Sequence, residues 1–173
     1  MSVNDELSDL TRTVFTLLRQ RRQTVAFAES CTAGLVSATL AEIPGASEVL
    51  DGGVVTYSNA MKRDFLGVPT EILERDGAVS PRCAIAMAEG LCRRTHSDFA
   101  LSITGLAGPG GAEPGKPIGL VYIALHDARS SVVRRFLFEG ERNSIRRASV
   151  FSALELLRCH LLEEPLCGKD ASN

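Results

Sequence analysis

The residue best suited to nucleophilic chemistry in this sequence is Ser30, which follows a short apolar run and precedes a stretch of small residues. That order predicts a strand ending where a helix begins, so backbone N–H groups at the helix start would lie beside the hydroxyl and could hold an oxyanion. Cys31 and Thr32 would lie in the same turn. The simpler interpretation, that Ser30 or Thr32 only caps the helix, stays open at this point.

A base for Ser30 has to come from a distant segment, because none of the three histidines stands in a motif that would place it beside a serine. Tyr57 and Asn59 come at the end of a predicted strand, and Lys62 follows in the next predicted helix. A lysine acts as a base only when it is neutral, a state favoured by burial and by the positive end of a helix. The absence of a histidine therefore favours a Ser-Lys pair, although on its own this segment fits a solvated surface lysine better.

Residues 104–111 form a glycine-rich segment that follows another predicted strand. Glycines let a backbone approach a ligand closely, and successive N–H groups can bind an anion. A phosphate or an amide could bind here, although a flexible hairpin connection has the same composition. Residues 110–116 also match the G-x-x-x-x-G-K spacing of a phosphate-binding loop. Because Pro117 stands where Ser or Thr must hold magnesium, and a strand is predicted next, that interpretation is rejected.

Two arginines near the last predicted helix, Arg142 and Arg146, are four residues apart and would share one helical face. They could bind a phosphate, or they could pair with Glu139 and Glu141. The segment alone favours the structural role.

The elements that must position these residues alternate between helix and strand in the first half of the chain. Apolar periodicity and turn residues predict helices over residues 6–22, 32–43, 60–66, 70–75, 80–95 and 143–162. Strands are predicted over residues 24–28, 51–57, 99–104, 118–126 and 131–138, and the tail after residue 165 is expected to be loose. This order predicts an α/β fold, a three-layer α/β/α sandwich with a mixed β-sheet. We expect a single domain over residues 1–173, with its core at about 7–162.

Composition narrows the class of partner. With 45% hydrophobic and 23% charged residues the chain is typical of a globular protein, and no apolar run approaches the roughly 20 residues of a membrane span. A net charge of -2, 5% aromatic residues and no Trp argue against a nucleic-acid partner. The start of the chain lacks the pattern of a secretory signal, so we expect a cytoplasmic protein. Five cysteines without a C-x-x-C pair predict reduced thiols and no metal site.

Six ordered segments together resemble the CinA C-terminal domain family over roughly residues 7–162. They are residues 28–32, 52–59, 77–80, 104–109, 116–119 and 140–142. The resemblance implies the fold of that family and the activity of a nicotinamide-nucleotide amidase, which releases ammonia from nicotinamide mononucleotide and leaves nicotinate mononucleotide. It also implies a small-molecule pyridine nucleotide as partner, no metal or cofactor, the stand-alone form of the domain, and a homo-oligomer with a dimer favoured.

The same resemblance implies which residues would do the chemistry. The catalytic residues would be Ser30, Tyr57, Lys62 and Thr104. The substrate-binding residues would be Cys31, Thr32, Gly53, Asn59, Gly105, Gly108, Gly110, Gly111 and Arg142. Neutral Lys62, assisted by Tyr57, would take the proton from Ser30, and Thr104 would orient the lysine or the substrate. The sequence departs from the family pattern mildly at two positions, Ala33 and Leu106, where glycine and isoleucine are usual.

Three other functions remain as alternatives. The chain could bind a nucleotide through the glycine-rich segment without catalysis. It could be an amidase whose nucleophile is Cys31, since a thiol is intrinsically more nucleophilic and a helix start lowers its pKa. It could also be a partner protein in competence or DNA damage, a role that only the historical name of the family suggests.

Overall fold

A six-stranded mixed β-sheet forms the middle layer of the molecule, and helices cover both of its faces. The computed structural model describes residues 3–171, so residues 1, 2, 172 and 173 of the predicted domain lie outside the described part. The strands are β1 (Val25–Glu29), β2 (Leu50–Val55), β3 (Phe99–Gly105), β4 (Leu120–His126), β5 (Ser131–Leu137) and β6 (Lys169–Asp170). The helices are α1 (Val3–Arg21), α2 (Leu35–Ala41), α3 (Asn59–Leu66), α4 (Thr70–Arg75), α5 (Pro81–Thr95) and α6 (Arg142–Leu162).

The strand order is β2-β1-β3-β4-β5-β6, and β1 lies parallel to both of its neighbours, β2 and β3. The remaining pairs, from β3 to β6, are antiparallel. The chain leaves β1 for β2 on one side and returns as β3 on the other. The carboxyl end of β1 is therefore a topological switch point, the place where open α/β sheets most often bind ligands.

Alternate residues of the central strands face opposite layers, as the pleat of a strand requires. In β1, Val25 and Phe27 pack in the core beneath α1, α2 and α6, whereas Ala26 and Ala28 pack against the α3–α5 side. Small residues on the second face let α5 lie close to the sheet, and Ser102 donates a hydrogen bond to Ala84 O of α5 at 2.6 Å. The predicted three-layer α/β/α sandwich with a mixed sheet is thus confirmed.

The first helix after β1 begins later than the sequence predicted. A helix was expected from residue 32, but residues 31–34 form a turn and α2 begins at Leu35. Ala33 and Gly34 have φ angles of 52° and 92°, in the left-handed region that a continuous right-handed helix cannot contain. Ser30 and Thr32 therefore do not cap α2.

The tail also differs from expectation. Two of its residues, Lys169 and Asp170, form β6 and pair antiparallel with Arg135 and Arg134 of β5. An ion pair of 3.0 Å between Arg134 and Asp170 adds to this pairing. The segment predicted to be loose therefore covers the edge of β5.

Candidate active site

The structure brings together the two residues that the sequence indicated as nucleophile and base. Lys62 Nζ lies 2.9 Å from Ser30 Oγ, although 32 positions separate them in the sequence. Ser30 follows β1, and strand alternation directs its side chain to the α3–α5 face. Ser58 fixes the start of α3, because its hydroxyl accepts a hydrogen bond from Met61 N at 3.2 Å. The lysine in the first turn of α3 then points back over the end of β1.

Lys62 is buried without a carboxylate beside it. Its side chain is 1% exposed, and within residues 3–171 it forms no ion pair. Burial lowers the pKa of Lys62, because the charged ammonium is desolvated, while the nearby thiols of Cys83 and Cys31 oppose that shift. The amine therefore reaches its neutral form at a lower pH than an exposed lysine does.

The partners of the amine suit a neutral base. Besides Ser30, Lys62 Nζ contacts the carbonyl oxygens of Thr56 at 2.8 Å and Tyr57 at 3.4 Å. A neutral amine has two N–H donors and one lone pair. If the two carbonyls take the two donors, the lone pair faces the Ser30 hydroxyl and can accept its proton.

The helix start that was expected to hold an oxyanion is already occupied. The carboxylate of Glu29, which is fully buried, accepts hydrogen bonds from Val36 N at 3.1 Å and Ser37 N at 2.9 Å. It also accepts one from Ser37 Oγ at 2.7 Å. Glu29 therefore satisfies the amino-terminal N–H groups of α2, and an oxyanion beside Ser30 needs other donors.

The turn of residues 31–34 offers such donors. In the described part of the chain, no oxygen atom accepts a hydrogen bond from the backbone N–H of Cys31 or Thr32. The neighbouring N–H groups are used, since Ser30 N donates to Ile103 O at 2.9 Å and Ala33 N donates to Ser30 O at 3.1 Å. The two N–H groups directly after Ser30 are thus donors that no oxygen atom of the described residues uses, and their present partner is the Cys31 thiol, whose pKa burial raises and these hydrogen bonds lower to a smaller extent.

Cys31 is poorly suited to be the nucleophile. Its side chain is 4% exposed, and burial raises the pKa of its thiol to about 11. The reactive thiolate is therefore scarce at neutral pH. The start of α2, which could have lowered this pKa, is taken by Glu29.

Tyr57 and Thr104 lie at the site but do not contact the amine of Lys62 through their side chains. The Tyr57 ring is 55% exposed, and its hydroxyl accepts a hydrogen bond from Arg142 Nη2 at 3.0 Å. Thr104 Oγ1 donates to Ala78 O at 2.7 Å. Its hydroxyl thus anchors the segment that precedes α5, and the expectation that Thr104 orients the lysine or the substrate stays a prediction.

A cavity of about 240 Å³ opens in front of Ser30 and Lys62. The predicted site residues that line it are Ser30, Cys31, Tyr57, Lys62, Thr104, Gly105, Gly108, Gly110 and Arg142. Arg142 also donates to Gly108 O at 2.6 Å, so it joins the glycine-rich segment to Tyr57 across the cavity mouth. With Ala78 and Val79, which also line it, five segments distant in sequence meet around one small space.

Four residues predicted to bind substrate do not line this cavity: Thr32, Gly53, Asn59 and Gly111. Gly53 lies against α2, where a Cβ atom would collide with the side chain of Ser37. Thr32 is fully buried, and Asn59 is the exposed first residue of α3. For Gly53 the absence of a side chain serves packing against α2, and its role in substrate binding stays a prediction.

The predicted site residues did not include Ala78, Val79, Leu106 and Ala107, which also line the cavity. They also did not include two residues that hold the site in place, Glu29 and Arg146. Glu29 fixes the start of α2, and Arg146 donates to Cys31 O at 3.1 Å and to Thr32 O at 2.8 Å. The four-residue spacing of Arg142 and Arg146 was the available signal, because it places both on the face of α6 that looks toward the site. Within residues 3–171 neither arginine forms the expected ion pair with Glu139 or Glu141. Arg146 instead contacts backbone carbonyl groups, and Arg142 contacts both sides of the cavity.

The remaining polar clusters lie elsewhere. His126 contacts Ser131, and His160 contacts Asp127, far from Ser30 in the sheet. Among residues 3–171 no three His, Cys, Asp or Glu side chains are grouped as a metal ion would require. Of the helices that the structure describes, none is both long and apolar enough to cross a membrane.

Comparison with known proteins gives a consistent result. Residues 7–161 match the model of the CinA C-terminal domain. A CinA-like protein of Thermotoga neapolitana is 46% identical over 161 residues, which are 93% of this chain and 39% of that protein. The chain thus spans about two fifths of the length of this curated relative.

Solved structures agree with this match. The competence/damage inducible protein CihA from Agrobacterium tumefaciens is 42% identical, with a TM-score of 0.87 over 90% of this chain and 95% of that one. A competence-damaged protein (CinA) superfamily protein from Klebsiella pneumoniae is 33% identical, with a TM-score of 0.88 over 91% of this chain and 98% of that one. The chain belongs to the CinA C-terminal domain family.

Proposed function

We propose that this chain is a nicotinamide-nucleotide amidohydrolase, which hydrolyses the carboxamide of nicotinamide mononucleotide through an acyl-enzyme on Ser30. The observation that carries this proposal is the 2.9 Å contact between Ser30 Oγ and the buried amine of Lys62. A buried lysine with a lowered pKa and no counter-ion is the feature expected of a general base in Ser-Lys hydrolases. A protein that only bound the nucleotide would not need this pair.

In the first half of the reaction Lys62 takes the proton of the Ser30 hydroxyl, and Ser30 Oγ bonds to the carboxamide carbon. The carbonyl oxygen becomes an oxyanion, which the backbone N–H groups of Cys31 and Thr32 stabilise. Preorganised donors of this kind are worth about 10²–10³ each in turnover. Collapse of the tetrahedral intermediate breaks the C–N bond, and the ammonium of Lys62 returns its proton to the departing amide nitrogen, so that ammonia leaves.

In the second half a water molecule replaces ammonia. Neutral Lys62 takes a proton from the water as its oxygen attacks the acyl carbon, and the proton then returns to Ser30 Oγ as the ester bond breaks. Nicotinate mononucleotide leaves, and the enzyme is restored. No redox step or metal is required by this balance of atoms.

The nucleotide part of the substrate would lie toward the cavity mouth. Arg142 there has donors beyond the two it uses on Tyr57 and Gly108, and a guanidinium suits a phosphate. The adjacent glycines, Gly105, Gly108 and Gly110, leave room for close approach of a ligand. The choice of a pyridine nucleotide itself rests on the family resemblance, as do the cytoplasmic location and a homo-oligomer, with a dimer favoured.

The proposal is tested by measuring ammonia release from nicotinamide mononucleotide with purified protein. Ser30→Ala and Lys62→Met should each lower turnover by at least about 10³-fold, since residues that act as a unit lose most of their effect together. Cys31→Ala is the matched control and should stay within about threefold of the unchanged protein, because its thiol is not the nucleophile. An active Ser30→Ala variant with an inactive Cys31→Ala variant would reverse the assignment.

A substrate panel belongs to the same experiment. We expect faster ammonia release from the mononucleotide than from nicotinamide riboside, which lacks the phosphate. Arg142→Ala should reduce that difference by raising KM for the mononucleotide alone. If the dinucleotide is the better substrate, the substrate assignment is wrong while the Ser-Lys chemistry stands.

A further inference from the structure

Arg146 makes two contacts with the backbone of the turn that follows Ser30. Its Nε donates to Cys31 O at 3.1 Å, and its Nη2 donates to Thr32 O at 2.8 Å. A third contact, from Nη1 to Asn143 Oδ1 at 3.4 Å, stays within α6. The guanidinium of Arg146 in α6 therefore binds the turn of residues 31–34 through two adjacent carbonyl groups, which lie 115 and 114 positions away in the sequence.

The geometry of a peptide bond converts these contacts into an orientation of N–H groups. In a trans peptide the carbonyl and the N–H of one unit point in opposite directions. Arg146 holds Cys31 O, so the N–H of Thr32, which shares that peptide unit, must point away from the guanidinium. This N–H is one of the two in the turn without an oxygen acceptor. The contact thus fixes the direction of a donor next to Ser30 that no oxygen atom uses.

The turn needs such support because its backbone is unfavourable. Ala33 has a φ of 52°, a conformation that side chains other than glycine adopt at a cost of about 1–3 kcal/mol and keep only when their surroundings hold it. The hydrogen bonds from Ala33 N to Ser30 O and from Leu35 N to Thr32 O, together with the two from Arg146, hold it here. Without Arg146 the turn keeps two of these four hydrogen bonds.

We propose that Arg146 is a positioning residue of the reaction: it fixes the peptide unit between Cys31 and Thr32 so that the N–H of Thr32 receives the oxyanion formed on attack by Ser30. Arg146 does not touch the substrate in this proposal. It rests on the proposed serine chemistry, but it does not require that the substrate be a nicotinamide nucleotide.

The test uses a fluorophosphonate probe, which acylating serines attack irrespective of their natural substrate. Ser30 Oγ would bond to phosphorus, Lys62 would take the proton, fluoride would leave, and the phosphoryl oxygen would occupy the oxyanion position. The labelling rate is measured for the unchanged protein, Arg146→Gln and Arg146→Lys. Arg147→Gln is the matched control, since Arg147 is the next residue of α6, is exposed, and loses the same charge.

We expect Arg146→Gln to slow labelling by about 10²-fold, the effect of a misplacement of about 1 Å at a reacting group. Arg147→Gln should leave the rate unchanged. Arg146→Lys should fall between them, because it keeps the charge but cannot bind both carbonyls with a planar fork. Added methylguanidine should partly restore the rate of a third variant, Arg146→Ala, and should have no effect on Arg147→Gln.

The proposal is overturned if Arg146→Gln is labelled as fast as Arg147→Gln, or if its loss disappears once the fraction of folded protein, measured by circular dichroism, is taken into account. Labelling that depends on Arg146 in a protein that releases no ammonia from nicotinamide mononucleotide would support the positioning role and contradict the proposed substrate. A protein whose Ser30 the probe never labels would overturn both proposals.

Discussion

The pH dependence of the reaction should report the ionisation of Lys62. The residue must be neutral to accept the Ser30 proton, and burial lowers its pKa, so the active form persists below the ordinary lysine pKa of about 10.4. Activity should therefore be constant above this lowered pKa and should fall tenfold per pH unit as the pH drops through it. The measurement is kcat against pH with saturating substrate. A fall in kcat that begins at the ordinary lysine pKa, or no fall in kcat with pH at all, would contradict the role of Lys62 as base.

Replacing Tyr57 by Phe separates two roles for its hydroxyl. That hydroxyl contacts Arg142 at 3.0 Å, whereas Lys62 approaches only the Tyr57 carbonyl. Tyr57→Phe should therefore leave the dependence on Lys62 ionisation in place and change kcat by less than about tenfold, because the lost interaction is one of binding, which acts on KM more than on kcat. KM should rise, since Arg142 is then less well held at the cavity mouth. If Tyr57→Phe abolished the fall in kcat at low pH, Tyr57 would instead take part in the proton transfer from Ser30.

Residue types and spacing pointed to Ser30 and Lys62 only with the family resemblance beside them, because on their own they favoured a helix cap and a solvated surface lysine. They were not enough to assign the hydroxyls of Tyr57 and Thr104. Those groups are bound by Arg142 and by Ala78 O, which lie 85 and 26 positions away, and no local pattern encodes such contacts. The sequence therefore indicated that Ser30 and Lys62 would meet, but it did not indicate the hydrogen bonds of the residues around them.

At the scale of elements, the packing of α2 on β2 makes a prediction about two adjacent glycines. A Cβ atom on Gly53 would collide with Ser37 Oγ and lie 2.7 Å from Ser37 Cβ, whereas one on Gly52 would meet nothing within 4 Å. Gly53→Ala should lower the free energy of unfolding by about 1–3 kcal/mol, as overpacking does. Gly52→Ala, the matched control, should change it by less than about 0.5 kcal/mol. Urea denaturation measures both.

A second substitution tests the cause of that loss. In Gly53→Ala/Ser37→Gly the obstructing side chain is gone, so the two effects should be less than additive by about 0.5–3 kcal/mol. Strict additivity would place the strain of Gly53→Ala elsewhere. A fall in substrate affinity at unchanged stability would return Gly53 to the binding residues that the sequence suggested.

The elements themselves were largely predictable, because apolar periodicity and the Ser80-Pro81 start mark them locally, and Ser80 does accept a hydrogen bond from Cys83 N at 3.2 Å. The start of α2 was not predictable from local sequence, because the group that accepts hydrogen bonds from its first N–H groups is the carboxylate of Glu29, which belongs to the preceding strand. The strand β6 was also missed. A pair of residues such as Lys169 and Asp170 carries no periodic pattern, and only the uncovered edge of β5 recruits it.

At the scale of the whole molecule, the candidate site draws on segments from both halves of the chain. Ser30 follows the central parallel strand, Thr104 ends the next, and Arg142 begins the last long helix. The mixed sheet was predictable from the order of helices and strands. The position of the topological switch point in that sheet was not predictable, because the sequence did not show on which side of β1 each neighbouring strand would pair.

Because the cavity joins these segments, a ligand in it should stabilise the entire fold. A ligand that binds only the folded state at 100 times its Kd adds about 2.7 kcal/mol to the free energy of unfolding. Nicotinate mononucleotide, the product of the proposed reaction, should do so equally for the unchanged protein and for Ser30→Ala, since the serine acts in chemistry and not in holding the product. Arg142→Ala should lose most of the effect, because the guanidinium would no longer meet the phosphate.

The measurement is urea denaturation with and without the nucleotide, and nicotinic acid alone is the control that lacks the phosphate. Equal stabilisation of Arg142→Ala and the unchanged protein would remove Arg142 from the binding site, and no stabilisation of either would contradict a nucleotide in this cavity.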